Sequence, residues 1–278
     1  MDQQQQAAKA EKFRAMHRGP RLLLMANAWD AITARLFEAE GYAAVATTSG
    51  GVSWALGYAD GEAAPWDEVV GQTARIARAV SVPVTADIEA GFGGTPEAVG
   101  SSIADIVRAG AVGVNLEDGL KGTTPMRTVE DAAARIRAAR EAAKAAGVPI
   151  VINARTDLYI KNIGDEAGRF DEAVTRARAY LAAGADCFYP IALRDTQTIG
   201  RLVQALNAPV NINVRAGYPG VAELEALGVR RITTATQLTL VALEATRRVV
   251  REIKETGQFN AINPGIAHPE MQQLMAKK

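Results

Sequence analysis

The chain has 278 residues, 48% hydrophobic but only 5% aromatic, so a large core must be built mainly from Ala, Val, Leu and Ile. Lys+Arg and Asp+Glu each total 31, a balance that argues against a nucleic-acid binder, which carries a basic excess or stripe. The single Cys187 excludes an intramolecular disulfide and cysteine-rich zinc sites, and no run approaches the ~20 apolar residues of a membrane span.

In chain order, residues 1–19 lack the apolar run of a secretory signal and read as an extra helix, consistent with a cytoplasmic protein. Short β-branched apolar runs then recur at 22–28, 43–49, 83–89, 112–118, 149–157, 187–192, 209–214 and 230–236. Their near-continuous apolar character predicts parallel strands buried on both faces. The intervening stretches, such as 66–80, 96–110, 128–147 and 170–184, place apolar residues three and four apart and read as helices. Thr95-Pro96 and Thr128 mark starts, and Gly110, Gly147, Gly184 and Gly228 mark ends.

Eight strand–helix repeats predict a (β/α)8 TIM barrel with an N-terminal capping helix and a C-terminal helical tail. Such barrels fill about 250 residues as one unit, and no low-complexity linker interrupts 20–256, so residues 1–278 are expected to form one domain. A doubly wound sheet is the alternative, but no Gly-x-Gly-x-x-Gly follows the first strand. The tail from Gly257 onward is apolar and Pro/Gly-punctuated, and is expected to dock, a neighbouring subunit being one place for it.

Chemistry in such barrels gathers at the C-terminal ends of the strands. Asp87 and Glu89, two apart, are expected on one side of their strand, with Glu117 converging from the next. Carboxylates without His or Cys suit a hard cation, Mg2+ or Mn2+. The alternative is that these acids cap helices or pair with Arg155. Ser49-Gly50-Gly51 could offer backbone N–H groups to a carboxylate or oxyanion, though a double glycine is individually a weak signal. The segment 119–127 reads as a lid or as an ordinary βα loop. Arg155, in a strand that otherwise reads as core, is expected to face acids or an anionic substrate. Asn211 and Asn213, with Tyr189 and Thr234, are candidate substrate contacts without assignable roles. Cys187 reads as a small core residue, and neither His17 nor His268 lies near a strand end, which argues against a histidine-based triad.

The segments NAWDAITARLFEAEGYAAVATTSGG (27–51), LGYADG (56–61), PVTADIEAGFGG (83–94), GVNLEDG (113–119) and INARTD (152–157) together resemble the isocitrate lyase/phosphoenolpyruvate mutase superfamily. The resemblance covers residues 20–250. It implies a barrel that uses Mg2+ to stabilise an enolate-type intermediate from a 2-oxo or 2-hydroxy acid. By position it implies Asp87 as the principal metal carboxylate, with Asp60, Glu89 and Glu117 holding the cation and its waters. It implies Ser49, Gly50 and Gly51 as the substrate-carboxylate site, Trp29 as an aromatic wall, and Arg155 as the cation beside the substrate oxygen. It also implies a homo-oligomer, a dimer or a tetramer exchanging C-terminal helices.

The departures matter. The lyases of this superfamily carry a Cys- and His-containing lid, whereas the lid here reads GLKGTTPM. The mutases have a lid Lys and Asn and a sixth-strand His; Lys121 could stand for the Lys, but Thr123 or Thr124 replaces the Asn and FYPIA offers no His. The leading expectation is therefore a Mg2+-dependent carbon–carbon lyase or decarboxylase for a small, oxaloacetate-like dicarboxylate, with Lys121 as gating cation or proton donor. The alternatives are a phosphoenolpyruvate mutase or phosphonopyruvate hydrolase, and a barrel that binds a small acid without turnover.

Overall fold

Each of the eight apolar runs contains a strand, and the pairing runs on into polar strand ends such as Asp87, Glu117 and Arg155. The computed structural model describes residues 2–120 and 126–276. The first run splits around Met25 into β1 (Leu23–Leu24) and β2 (Ala26–Ala28). From β2 a six-stranded parallel sheet runs through β3 (Val45–Thr47), β4 (Val84–Asp87), β5 (Gly113–Glu117) and β6 (Val151–Thr156) to β7 (Cys187–Pro190). A three-stranded parallel sheet orders β1 beside β9 (Arg231–Thr233) and β9 beside β8 (Asn211–Asn213). The two sheets meet at Met25, whose N–H bonds the Ile232 carbonyl, and at a parallel bridge between Phe188 and Val210. The ring is thereby closed, as the repeat pattern predicts.

Helices α2 (Ala31–Ala39), α4 (Trp66–Ala79), α5 (Pro96–Arg108), α6 (Val129–Ala145), α7 (Glu166–Ala182), α8 (Thr196–Leu206) and the short α9 (Val221–Ala226) alternate with the strands. Their limits follow the punctuation in the chain. Thr95 and Thr128 accept from Ala98 N and Asp131 N at 3.3 and 3.2 Å, satisfying orphan N–H groups of α5 and α6. Gly110 and Gly147, just past those helices, have φ of 96° and 68°, where a side chain would be strained. The core between helices and strands is built from small aliphatics, Ala86, Val112, Val114, Ile152 and Ala154 among them, all essentially inaccessible.

The N-terminal helix, α1 (Gln3–Met16), closes the base of the barrel. Its Phe13 is fully buried, Gln6 donates to the Val107 and Ala111 carbonyls, and Arg14 pairs with Asp186. At the other end α10 (Gln237–Thr256) buries only Thr239 and leaves Leu240, Val241, Leu243 and Val250 exposed. The last helix, α11 (His268–Ala276), returns to α2 of the same chain, where Arg35 Nε and Nη2 donate to the Leu274 carbonyl at 3.0 and 2.6 Å. No helix of the described residues is long and apolar enough to cross a membrane.

Two expectations about strand ends need correction. Ser49 does not end a strand; it is the first residue of α3 (Ser49–Leu56), entered through the extended Thr48. The pairing of β4 ends at Asp87, and Glu89 has a left-handed φ of 50°, so strand alternation does not place it on the side of Asp87.

Candidate metal and acid-binding site

The C-terminal mouth of the barrel gathers charge from β4, β5 and β6. Register sets Asp87 beside Asn115 and Glu117 beside Arg155. Arg155 Nη1 lies 2.7 Å from Glu117 Oε2, and its Nε lies 2.8 Å from Asp157 Oδ1. Burial works against the guanidinium charge, but Glu117, Asp157 and Asp87 outweigh it and hold the Arg155 pKa above its ordinary value. A planar fork gripped on two sides has little freedom left, so Arg155 is pre-aimed.

The carboxylates around it are crowded and desolvated. Burial pushes the Glu117 carboxyl up to about 8; Arg155 opposes the shift, while Asp157, Asp87 and Glu89 add to it. Asp87 is also raised, first by burial and then by Asp60, against the pull of Arg155 and the backbone N–H groups of Glu89 and Ser49. Its own N–H is anchored on Thr47 Oγ1 at 2.8 Å. Glu89 rises to about 7, mainly by burial, although its Oε1 accepts the Glu62 N–H at 2.7 Å.

Asp60 sits on the exposed loop after α3, and its Oδ2 lies 3.1 Å from where a Cβ on Gly50 would stand. The first turn of α3 thus runs between the Asp60 carboxylate and Trp29, whose Cβ lies 2.9 Å from a methyl built on Gly51. Ser49, Gly50 and Gly51 present helix N-terminal N–H groups, the positive end of the dipole, and Ser49 already gives its own to Asp87.

Other expected residues fall elsewhere. Asn213 Oδ1 accepts the Ala192 N–H at 3.0 Å, and the fully buried Asn211 bonds Thr233 Oγ1 at 3.3 Å. Both are tied to the barrel wall, and among the described residues neither bonds to the acidic group. Asp118 accepts from Tyr180 Oη at 2.6 Å and Arg176 Nη1 at 3.2 Å, a supporting role at the neck of the following segment. That neck is closed by the Gly119–Met126 bridge and the Arg127 N–H to the Asp118 carbonyl. Lys121 and the rest of 121–125 lie outside the described residues.

Three contributors had no assigned role in the sequence. Asp157 completes the grip on Arg155; its signal was its place two residues further along INARTD. Tyr189 is paired in register with Arg155 and buried, which raises its phenol pKa, so a neutral hydroxyl lies close to Arg155 and Asp87. Glu62 carries no sequence signal, because its contacts depend on two loops meeting.

Among the described residues no three acidic, His or Cys side chains form a ready metal cage. Mg2+ does not require one, since it keeps several waters and takes one or two carboxylates. The donors here are all hard oxygens, and Asp87, Glu117 and Asp157 crowd around a single guanidinium, so that with all three ionised a dication would offset the excess negative charge. The set fits a hard divalent cation, which Asp87, Glu117 and Asp60 could hold directly or through water.

The family profile described as "Phosphoenolpyruvate phosphomutase" matches residues 13–254. The chain belongs to the isocitrate lyase/phosphoenolpyruvate mutase superfamily. A crystal structure of a candidate lyase/mutase from Burkholderia cenocepacia J2315 superposes with a TM-score of 0.91 at 34% identity, covering 99% of this chain and 98% of that one. A candidate phosphonomutase from the same organism is 41% identical with a TM-score of 0.84, covering 89% and 99%. The oxaloacetate decarboxylase of Ectopseudomonas mendocina is 29% identical over 251 residues, 86% of this chain and 82% of that enzyme. The superfamily also includes enzymes named 2-methylisocitrate lyase, so its members are lyases or mutases of small acids.

Proposed function

We propose that the chain is a Mg2+-dependent carbon–carbon lyase, Mn2+ being the alternative metal. Its simplest chemistry is decarboxylation of a small 2-oxo dicarboxylate of the oxaloacetate type, whose 2-carbonyl takes up the bond electrons. A small 2-hydroxy dicarboxylate would instead be cleaved in the retro-aldol sense, its hydroxyl proton passing to a base as the carbon–carbon bond breaks. The observation that supports this reading most is the buried Asp87 carboxylate, which feels the charges of both Arg155 and Asp60 beside the Arg155–Glu117 ion pair. Among the described residues no thiol or imidazole stands ready there: the Cys187 thiol is buried and pushed up to about 12, His17 lies at the base of the barrel, and His268 opens the last helix. Decarboxylation needs no base, because the carbon–carbon bond electrons pass to an enolate as CO2 leaves. The oxaloacetate decarboxylase relative supports this choice.

A bound Mg2+ would supply Lewis-acid polarisation of the substrate. The chain's own groups do the rest. Gly50 and Gly51 N–H groups hold the retained carboxylate at the N-terminus of α3. Arg155, fixed by Glu117 and Asp157, donates to the oxygen on which negative charge develops. Trp29 walls the turn, and Lys121 is assigned the proton delivered to the enolate carbon.

The test is a metal-supplemented screen of 2-oxo and 2-hydroxy dicarboxylates with Asp87→Ala as the blank. Turnover of oxaloacetate above that blank is expected; turnover equal to the blank for every dicarboxylate refutes the reading. Phosphorus–carbon chemistry is the second reading, favoured by the 41% identity to a candidate phosphonomutase. It predicts consumption of phosphonopyruvate, followed by phosphorus NMR.

A further inference from the structure

Two loops bracket the acidic site: residues 57–65, which carry Asp60, and residues 88–95, which follow Asp87. Each loop sends a carboxylate to a backbone N–H of the other. Glu89 Oε1 accepts from Glu62 N at 2.7 Å, and Glu62 Oε1 accepts from Phe92 N at 2.7 Å. All three residues are left-handed without being glycine, with φ of 54° at Glu62 and 50° at Glu89 and Phe92. Such a conformation persists in a non-glycine residue only where the surroundings impose it. The imposition extends outward, since the Phe92 ring packs on Trp66 at 4.7 Å and the Trp66 indole N–H is held by Asp105 at 2.8 Å.

We propose that Glu62 and Glu89 form a clip between these loops, with Glu62 a positioning residue for Asp60 and Glu89 not a metal ligand. The inference rests on the metal reading above and assigns the work within it. Glu89 is 6% exposed and its Oε1 is spent on a backbone amide. Glu89 holds the Glu62 N–H and the Glu62 carboxylate holds the Phe92 N–H, so the chain two residues beyond Asp60 is tied through both its backbone and its side chain, which fixes where the Asp60 carboxylate can reach. A clip needs an acceptor oxygen and no charge; a group that serves the cation needs the charge.

Glutamine separates the two. Full-length Glu89→Gln, Glu62→Gln and Glu62→Ala are titrated with Mn2+ alone, free ion being read by electron paramagnetic resonance, and melted in parallel without metal. The clip predicts Mn2+ affinities within about threefold of wild type for both glutamine variants. It predicts a loss of about tenfold or more for Glu62→Ala, the range seen when groups that orient metal ligands are removed. If Glu62→Ala does not fold, Glu62→Asp, whose shorter arm withdraws the acceptor, takes its place. A loss of about tenfold in Glu89→Gln, or wild-type affinity in Glu62→Ala, overturns the clip. Asp87→Asn keeps the two failures apart: if it binds Mn2+ as wild type does, the metal reading itself falls and takes the clip's role with it.

Discussion

Replacing Gly51 with alanine would set a methyl 2.6 Å from Thr48 Cγ2, 2.7 Å from Thr239 Oγ1 and 2.9 Å from Trp29 Cβ. None of these atoms sits at the end of a flexible arm: Thr48 and Thr239 are buried and β-branched, and a Cβ moves only with its backbone. The first turn of α3 must therefore shift. Overpacking of this kind costs about 1–3 kcal/mol of stability. The shift also carries the N–H groups of Ser49, Gly50 and Gly51, so the bond to Asp87 and the carboxylate site move together. A displacement of about 1 Å at such a site costs roughly 100-fold in rate. Gly71→Ala is the control, since a Cβ there meets nothing within 4 Å in the middle of α4, and about 0.5–1 kcal/mol of stabilisation is expected. Urea melts and kcat/KM for the best dicarboxylate read both effects. Wild-type stability and kinetics in Gly51→Ala would refute the packing argument.

Three further predictions follow from the same geometry. Arg155→Lys replaces a gripped fork with a single point charge, so kcat should fall by roughly 100-fold or more with Mn2+ affinity little changed; near-normal kcat would remove Arg155 from the chemistry. His17 is buried, donating through Nδ1 to the Phe13 carbonyl at 2.8 Å, and burial, then Arg231, lower its pKa from 6.5 to about 3. A depressed folded pKa contributes stability that is complete above the unfolded value and is lost as pH falls from about 6.5 toward 3, so between pH 7 and 5 wild type should lose about 2 kcal/mol that His17→Gln does not. Parallel pH profiles in urea melts would contradict this. The exposed Leu240, Val241, Leu243 and Val250 of α10 are the proposed contact between copies of the chain; Leu243→Asp should lower the mass found by light scattering, and a monomeric wild type would sink the proposal.

The barrel was legible because its signals are periodic and local. Buried parallel strands read as unbroken apolar runs, and Thr95, Thr128, Gly110 and Gly147 mark their helices by backbone chemistry that neighbours alone decide. The site was legible only in outline. Asp87, Glu117 and Arg155 stand at ends of paired strands, where alternation holds, and the structure brings them together. Beyond the last pair that rule fails. Glu89 turns into the left-handed region because Glu62 meets it from another loop, and Ser49 opens a helix whose two glycines give little helical signal. Asn211 and Asn213 look like substrate groups in a strand pattern, but their partners, Thr233 and Ala192, lie on other segments. Tyr189 matters through its register with Arg155, which no single run displays.

The most direct test of metal-dependent decarboxylation is pyruvate formation from oxaloacetate by chelator-stripped protein, before and after Mg2+ is returned, with Asp87→Ala subtracting the reaction of free metal. The proposed function predicts loss of turnover on stripping, full recovery with Mg2+, and neither in Asp87→Ala; turnover that persists without metal would contradict it.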